Sequence, residues 1–228
     1  MRVSVIIPAL NEADCLGELV REALAQPVSA VIVVDNGSTD GTADVARQAG
    51  ARVASEPRRG YGYACAAGAA AADADVLVFL DGDGSSLPQE MPRLLEPFAS
   101  GCADLALGSR VLGSIEQGAM PPHQRFGNWL ASRLMTRLYQ VRVTDLGPYR
   151  AIKRDLLLAL DMREMTFGWP TEMMVKAARR QARIVEAPVS FHPRRAGRSK
   201  VSGTLRGTLL AAYYILGVTL RYSVKRTV

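Results

Sequence analysis

Four times in its first hundred residues the chain repeats one pattern: a short β-branched run, a polar cluster, then a helical stretch rich in small or amphipathic residues. Val3–Ile7, Ala30–Val34, Arg52–Ser55 and Val76–Leu80 read as buried strands, and Glu12–Gln26, Gly41–Ala49, Tyr61–Ala72 and Pro88–Ala99 as helices. Strands joined through helices pair in parallel, so this order predicts an α/β chain with a mostly parallel, Rossmann-like sheet and helices on both faces. Ligands of such sheets sit beyond the carboxyl ends of the strands. The polar clusters fall there: Asn11-Glu12, Asp35 to Asp40, Arg58 to Gly62, and Asp81 to Ser85.

Further along, Ala103–Leu107 reads as a fifth strand, followed by a Gly- and Pro-bearing loop, Gly108–Pro122, expected to act as a lid or crossover. His123–Tyr139 and Met173–Gln181 read as helices, Pro148–Ile152 and Arg183–Ser190 as strands, and Thr204–Tyr222 as a last helix. The expected division is a domain over residues 1–201 and an amphipathic helix with a basic tail over 202–228. At 228 residues the chain suits one ordinary domain with an appendage. It lacks a long uncharged apolar run, and its first strand is too short for a signal peptide. These features predict a cytoplasmic location, with peripheral contact to the cytoplasmic face of the membrane as an option.

Three scattered cysteines and two histidines exclude a disulfide framework and a thiolate or His-rich metal site. Any metal would be a hard ion held by carboxylates. Charge divides the chain. Residues 1–100 carry seven arginines, no lysine and fourteen acids, whereas everything after Glu186 contains eight basic residues and no acid. A segment of that kind attracts phosphates.

Asp81-Gly82-Asp83 ends a very apolar strand, where glycine permits a bend that turns both carboxylates toward one divalent ion; an ordinary Asp-Gly turn is an equal alternative. The Asp35–Thr42 loop suits a base or a ribose and also a helix cap at Thr39 or Asp40. Gly60, Gly62 and Gly68 do not have the dinucleotide-loop spacing and follow the wrong strand, so close helix packing explains them better.

Taken together, Pro8-Ala9-Leu10-Asn11-Glu12, Val33 to Thr42, Phe79-Leu80-Asp81-Gly82-Asp83, Gly108-Ser109-Arg110 and Arg198-Ser199-Lys200 resemble, in the same order, the motifs of family 2 glycosyltransferases of the GT-A fold. The dolichol-phosphate mannose synthase and polyprenyl-phosphate glycosyltransferase branch is the most similar. The resemblance implies a nucleotide-sugar pocket made by Pro8, Leu10, Glu12 and Asp35, with Ser38 and Asp40 near it. It implies that Asp81 and Asp83 hold Mg²⁺ or Mn²⁺ against the donor diphosphate. A glutamine two residues after the second aspartate joins the metal in the mannose synthases; Ser85 stands there in this chain. Arg110, Arg125, Arg198 and Lys200 would gather around donor and acceptor phosphates, and Asp83, Asp145 and Arg110 would carry the chemistry, Asp145 by bonding sugar hydroxyls or as a base. Trp169 is expected to stack on a sugar, and Glu172 to serve the site or simply the start of its helix.

The implied reaction is inverting transfer of a hexose from a UDP-glucose or GDP-mannose type donor. A lipid-phosphate acceptor is already anionic and needs no strong base; an alcohol acceptor requires one. The apolar run Leu209–Leu220 between Arg206 and Arg221 spans about 18 Å as a helix, against about 30 Å for a bilayer core. It can lie on a membrane surface or join a homodimer. A polyprenyl-phosphate enzyme, a soluble enzyme with an alcohol acceptor and a dimerising helix, and a nucleic-acid module thus stay open. The last is disfavoured, since the tail lacks a stacking platform beyond Tyr213, Tyr214 and Tyr222.

Overall fold

A computed structural model describes residues 1–197 and 205–224. The expected parallel half is present: β1 (Val3–Ala9), β2 (Ala30–Asp35), β3 (Arg52–Ser55) and β4 (Val76–Phe79) alternate with α1 (Ala13–Leu24), α2 (Thr42–Gln48) and α3 (Tyr61–Ala71). Then come a 3₁₀ turn at Pro88–Glu90, α4 (Met91–Ala99), β5 (Leu105–Ile115), α5 (Pro122–Tyr139), β6 (Arg150–Lys153), α6 (Arg154–Ala159), α7 (Trp169–Arg179), β7 (Ile184–Phe191) and α8 (Leu205–Val224). One seven-stranded sheet has the order β3-β2-β1-β4-β6-β5-β7, and β6 is antiparallel to both of its neighbours.

Alternation along β1 builds the two layers. Val5 and Ile7 face a cluster with Leu16, Leu19 and Val20 of α1 and Leu94 of α4, while Ile6 faces Cys65 of α3 and Met173 of α7. The glycines of α3 are a packing device, as expected from their spacing. A Cβ on Gly68 would lie 2.4 Å from an Ile6 methyl, and one on Gly62 would lie 2.6 Å from the Met165 backbone. Cys15 and Cys65 are buried, whereas Cys102 is exposed.

The expected lid at Gly108–Pro122 is corrected. Most of it continues β5, whose pairing with β7 jumps from Ser109↔Pro188 to Ser114↔Ser190. Residues 110–113 therefore bulge, and a bulge re-aims side chains. Gly113 marks this close approach rather than a loop, since a Cβ there would fall 2.1 Å from the Val189 carbonyl oxygen. The short helix α6 was not expected; it follows β6 directly and was masked by the preceding strand pattern.

The last helix packs on α5 and α7. Val218 and Thr219 are buried, the Tyr139 hydroxyl donates to the Thr219 carbonyl, and Arg179 donates to the Tyr222 carbonyl at 3.0 Å. Among the described residues no helix is long and apolar enough to cross a membrane.

Candidate active site

The ends of β1, β2 and β4 converge through backbone hydrogen bonds to short polar side chains. The Ser38 Oγ accepts the Asn11 N–H at 3.0 Å, and the Asn11 Oδ1 accepts the Thr39 N–H at 2.8 Å. Asn11 has φ 52°, a left-handed conformation that asparagine tolerates. Asp40 stands just ahead of the α2 N-cap, Gly41, rather than being the cap itself, and it serves two helices. Its Oδ1 accepts the Thr42 N–H at 3.1 Å at the start of α2, and its Oδ2 accepts the Ala13 N–H at 3.2 Å at the start of α1. Both are helix-end donors that would otherwise lack partners. The Asp35 Oδ1 accepts the Ser38 N–H at 3.0 Å. Pro8, Leu10 and Asp35 are half-buried at this rim, and Glu12 is buried.

Asn36 organises the third cluster. Its amide donates to the carbonyls of Glu56 and Arg58, both at 2.8 Å, and its Oδ1 accepts the Gly60 N–H at 3.0 Å. That places Tyr61 at the head of α3, where its hydroxyl donates to the Asp81 Oδ1 at 3.1 Å.

Asp81 and Asp83 sit in different environments. Surrounding protein desolvates the Asp81 carboxyl and the Asp83 charge adds to the effect, raising its pKa to about 7. Asp83 instead accepts the Ser85 N–H at 2.9 Å on Oδ1 and an Arg194 N–H at 2.7 Å on Oδ2. The other arm of the Arg194 guanidinium donates to both Glu12 oxygens, at 2.8 and 2.7 Å. Arg194 thus bridges the cluster after β1 to the one after β4. The adjacent Arg195 donates its N–H to the Asp83 carbonyl at 3.0 Å, and its side chain lies where a Cβ on Gly84 would intrude, at 2.6 Å. Gly84 also has φ 71°, so any side chain there is disfavoured twice.

Asp81 and Asp83 are the pair suited to a hard divalent ion. Among the described residues no group of three or more His, Cys, Asp and Glu is placed to hold one. Two carboxylates fit Mg²⁺ or Mn²⁺ in the manner that leaves positions for phosphate oxygens and water. The raised pKa of Asp81 fits as well, because a nearby cation offsets the cost of its buried charge.

On the other side, the β5 bulge turns Arg110 onto Asp145. The Asp145 Oδ2 accepts the Arg110 backbone N–H and Nε–H, both at 2.7 Å, and its Oδ1 accepts the terminal N–H at 2.6 Å. Asp145 is fully buried. Glu186 of β7 holds the same segment by accepting the backbone N–H groups of Thr144 at 2.9 Å and Asp145 at 3.1 Å. Both Asp145 oxygens thus accept from Arg110, and the carboxylate holds that guanidinium in place. The Arg110 guanidinium also lies over the Phe191 ring, 4.8 Å from its centroid.

Trp169 and Glu172 go elsewhere. Trp169 is 1% exposed and meets Phe79 edge-on at 4.9 Å, so it is a core residue, not a sugar platform. Glu172 accepts the N–H groups of Arg163 and Glu164 at 2.9 and 2.8 Å and the Tyr222 hydroxyl at 2.5 Å, which ties α7 to α8. Arg125 is exposed on α5 with its Nε donating to the Met120 carbonyl at 3.2 Å. Arg198 and Lys200 lie outside the described residues.

Sequence reasoning overlooked Tyr61, Asn36, Glu186, Arg150 and Arg194. Arg150 is wholly buried and donates to the carbonyls of Gly147 and Pro170, with burial lowering its pKa to about 10. Asn36 and Tyr61 had a signal in the polar clusters after the second and third strands, and Arg194 had one in the acid-free tail.

Residues 4–160 match the Glycosyl transferase family 2 profile. A glycosyltransferase of Mycobacterium tuberculosis is 40% identical over 92% of this chain and 94% of its own length. The undecaprenyl-phosphate mannosyltransferase of Micrococcus luteus is 35% identical over 97% and 96%, respectively. In fold, the chain superposes on glucosyl-3-phosphoglycerate synthase of Mycobacterium tuberculosis, crystallised with Mn²⁺, UDP and glucosyl-3-phosphoglycerate. That match has a TM-score of 0.79 at 22% identity, over 99% of this chain and 81% of the other. With a family match over most of its length and relatives similar nearly end to end, the chain belongs to glycosyl transferase family 2.

Proposed function

We propose that this glycosyltransferase moves a hexose from a nucleoside-diphosphate sugar to a polyprenyl phosphate, with inversion at the anomeric carbon and with Mg²⁺ or Mn²⁺ as cofactor. The observation that carries the reading is the Asp81/Asp83 pair at the strand end, one carboxyl desolvated and the other bound to Arg194. These two side chains would hold the ion, which when bound supplies charge neutralisation for the departing diphosphate. The rim of Pro8, Leu10, Glu12, Asp35 and Ser38 would receive the base and ribose. Asp40 supports that rim by fixing two helix starts rather than by touching the donor.

Arg110, held by Asp145 through Nε and one terminal nitrogen, keeps further terminal N–H groups that would meet phosphate oxygens. Arg125, Arg198 and Lys200 are proposed to extend this basic surface toward the acceptor. The commitment of Asp145 to Arg110 favours a lipid phosphate over an alcohol, because an anionic acceptor needs no base to attack. The name of the Micrococcus luteus relative supports the same acceptor class. Residues 1–201 would form the transferase unit, with 202–228 as an appended helix and basic tail at a membrane surface or a dimer contact.

The test is a screen of UDP- and GDP-hexoses with undecaprenyl phosphate in detergent, with and without EDTA. The reading expects metal-dependent appearance of labelled sugar in the organic phase. A water-soluble glycoside formed with an alcohol acceptor, and no lipid product, would replace it.

A further inference from the structure

The outer face of α5 carries large apolar side chains in water. Phe126 is 63% exposed and Trp129 52%, and their rings stack at 5.8 Å between centroids. One turn on, the Arg133 guanidinium lies 5.5 Å from the Trp129 centroid. Phe126, Trp129, Arg133 and Arg137 recur at helical spacing, so they share one side of the helix, and all four are exposed. The opposite side is in use. Asn128 accepts the Leu146 N–H at 3.0 Å, Ser132 donates to the Thr144 carbonyl at 3.1 Å, and Tyr139 reaches α8.

Charge identifies the occupant. From Gln117 through Thr144 there are four arginines, one histidine and no acid. A second copy of this face would bring like charges together, whereas an anionic lipid surface complements them. Stacked Phe and Trp beside arginines are the side chains that settle at a headgroup boundary, their rings among the upper acyl chains and their cations among phosphates. Val111 and Leu112, each about half exposed, directly follow Arg110 in the β5 bulge and add a second apolar point next to a residue of the site.

We infer that the outer face of α5 is the surface by which the protein docks on an anionic membrane. The last helix, α8, packs against another side of α5. This deepens the lipid-phosphate reading and rests on it, because the inner side of α5 holds the segment that carries Asp145 and hence Arg110. Docking by this face would bring the proposed phosphate-binding arginine to the membrane, where a polyprenyl phosphate resides.

The chain supplies its own probe. It has two tryptophans, and Trp169 is 1% exposed, so quenching of emission by brominated lipids reports on Trp129. The full chain is mixed with phosphatidylcholine vesicles containing about a third phosphatidylglycerol. Binding is expected with Trp129 quenching, and it should fall about tenfold when phosphatidylglycerol is omitted. Phe126→Ser/Trp129→Ser should sediment with vesicles about tenfold less than the parent, and Arg133→Gln/Arg137→Gln should lose binding to the anionic vesicles alone. Equal sedimentation of the parent and Phe126→Ser/Trp129→Ser overturns the inference. So does binding lost only with Tyr213→Ser/Leu220→Ser on α8. A parent that ignores vesicles but dimerises through Phe126 and Trp129 also overturns it. Transfer to a short-chain, water-soluble polyprenyl phosphate without vesicles separates the two readings. If vesicles bind as expected and no such phosphate is glycosylated, the acceptor reading falls and the docking face remains.

Discussion

The two halves of the site are built by different means. Around β1 and β2, residues 11–42 are fixed by short side chains that bond backbone N–H groups nearby in sequence or in the adjoining loop: Asn11, Asp35, Ser38 and Asp40. Around β5 and β7, the charges are fixed by one another across long stretches of chain, Arg110 with Asp145 and Arg194 with Glu12 and Asp83. The first arrangement is a web of individually modest bonds. The second concentrates its stability in a few desolvated ion pairs, where loss of a single partner leaves a buried charge.

Substitutions put that contrast to the test. The largest effect is expected where the halves meet: Asp83→Asn should lower transfer on the order of 10²–10³-fold while moving the melting temperature little, because Arg194 keeps Glu12 as a partner and side-chain shape is retained. Parent-like kcat with saturating metal would remove Asp83 from the site. Next, Asp145→Ala should cost about 3–5 kcal/mol in urea unfolding, because it strands the Arg110 guanidinium, which is only 13% exposed. A loss below about 1 kcal/mol would mean the pair is solvated like a surface bridge.

Asp81 gives a pH signature. Its folded pKa of about 7 lies above that of an unfolded aspartate, so the folded state binds the extra proton and the carboxyl lowers stability increasingly as pH rises through that interval. In EDTA, Asp81→Asn should therefore gain stability relative to the parent from about pH 4 upward and level off above about pH 7, read from melting temperatures. A difference that stays constant over the range contradicts this. The smallest effect belongs to the web: Asp40→Ala should cost about 1–2 kcal/mol, since it removes acceptors from two helix starts that water can partly replace. A cost as large as that of Asp145→Ala would erase the distinction between the halves.

The same contrast explains what the sequence discloses. In the first half each strand, cluster and helix is local, and the elements from Val3 to Phe79 are legible to within two residues at each end. Asp81-Gly82-Asp83 is likewise visible because strand and bend are adjacent. Beyond residue 100 the determinants are pairings that no window contains. The extension of β5 depends on β7, seventy-odd positions later, so its glycines imitate a loop. Trp169 stands between Gly168 and Pro170 in a stretch that reads as an exposed turn, and it is buried because the cluster containing Ile6, Leu77 and Phe79 closes around it. Asp145 reads in sequence as a sugar ligand or a base, and its pairing with Arg110 depends on a bulge that no local window contains. Arg194 was legible as charge but not as a bridge, because its partners lie 182 and 111 positions away.

That last span has a consequence for biosynthesis. A ribosome releases the acidic first hundred residues, with Glu12 among the earliest, long before the arginine that clasps them has been made. The nucleotide-side loops can assemble from local bonds while synthesis continues, but their closure across the strand ends waits until Arg194, 182 positions after Glu12, has been made. Such late, long-range closure is entropically slow and driven by opposite charges, so refolding of the finished chain should end in a phase that slows as ionic strength rises.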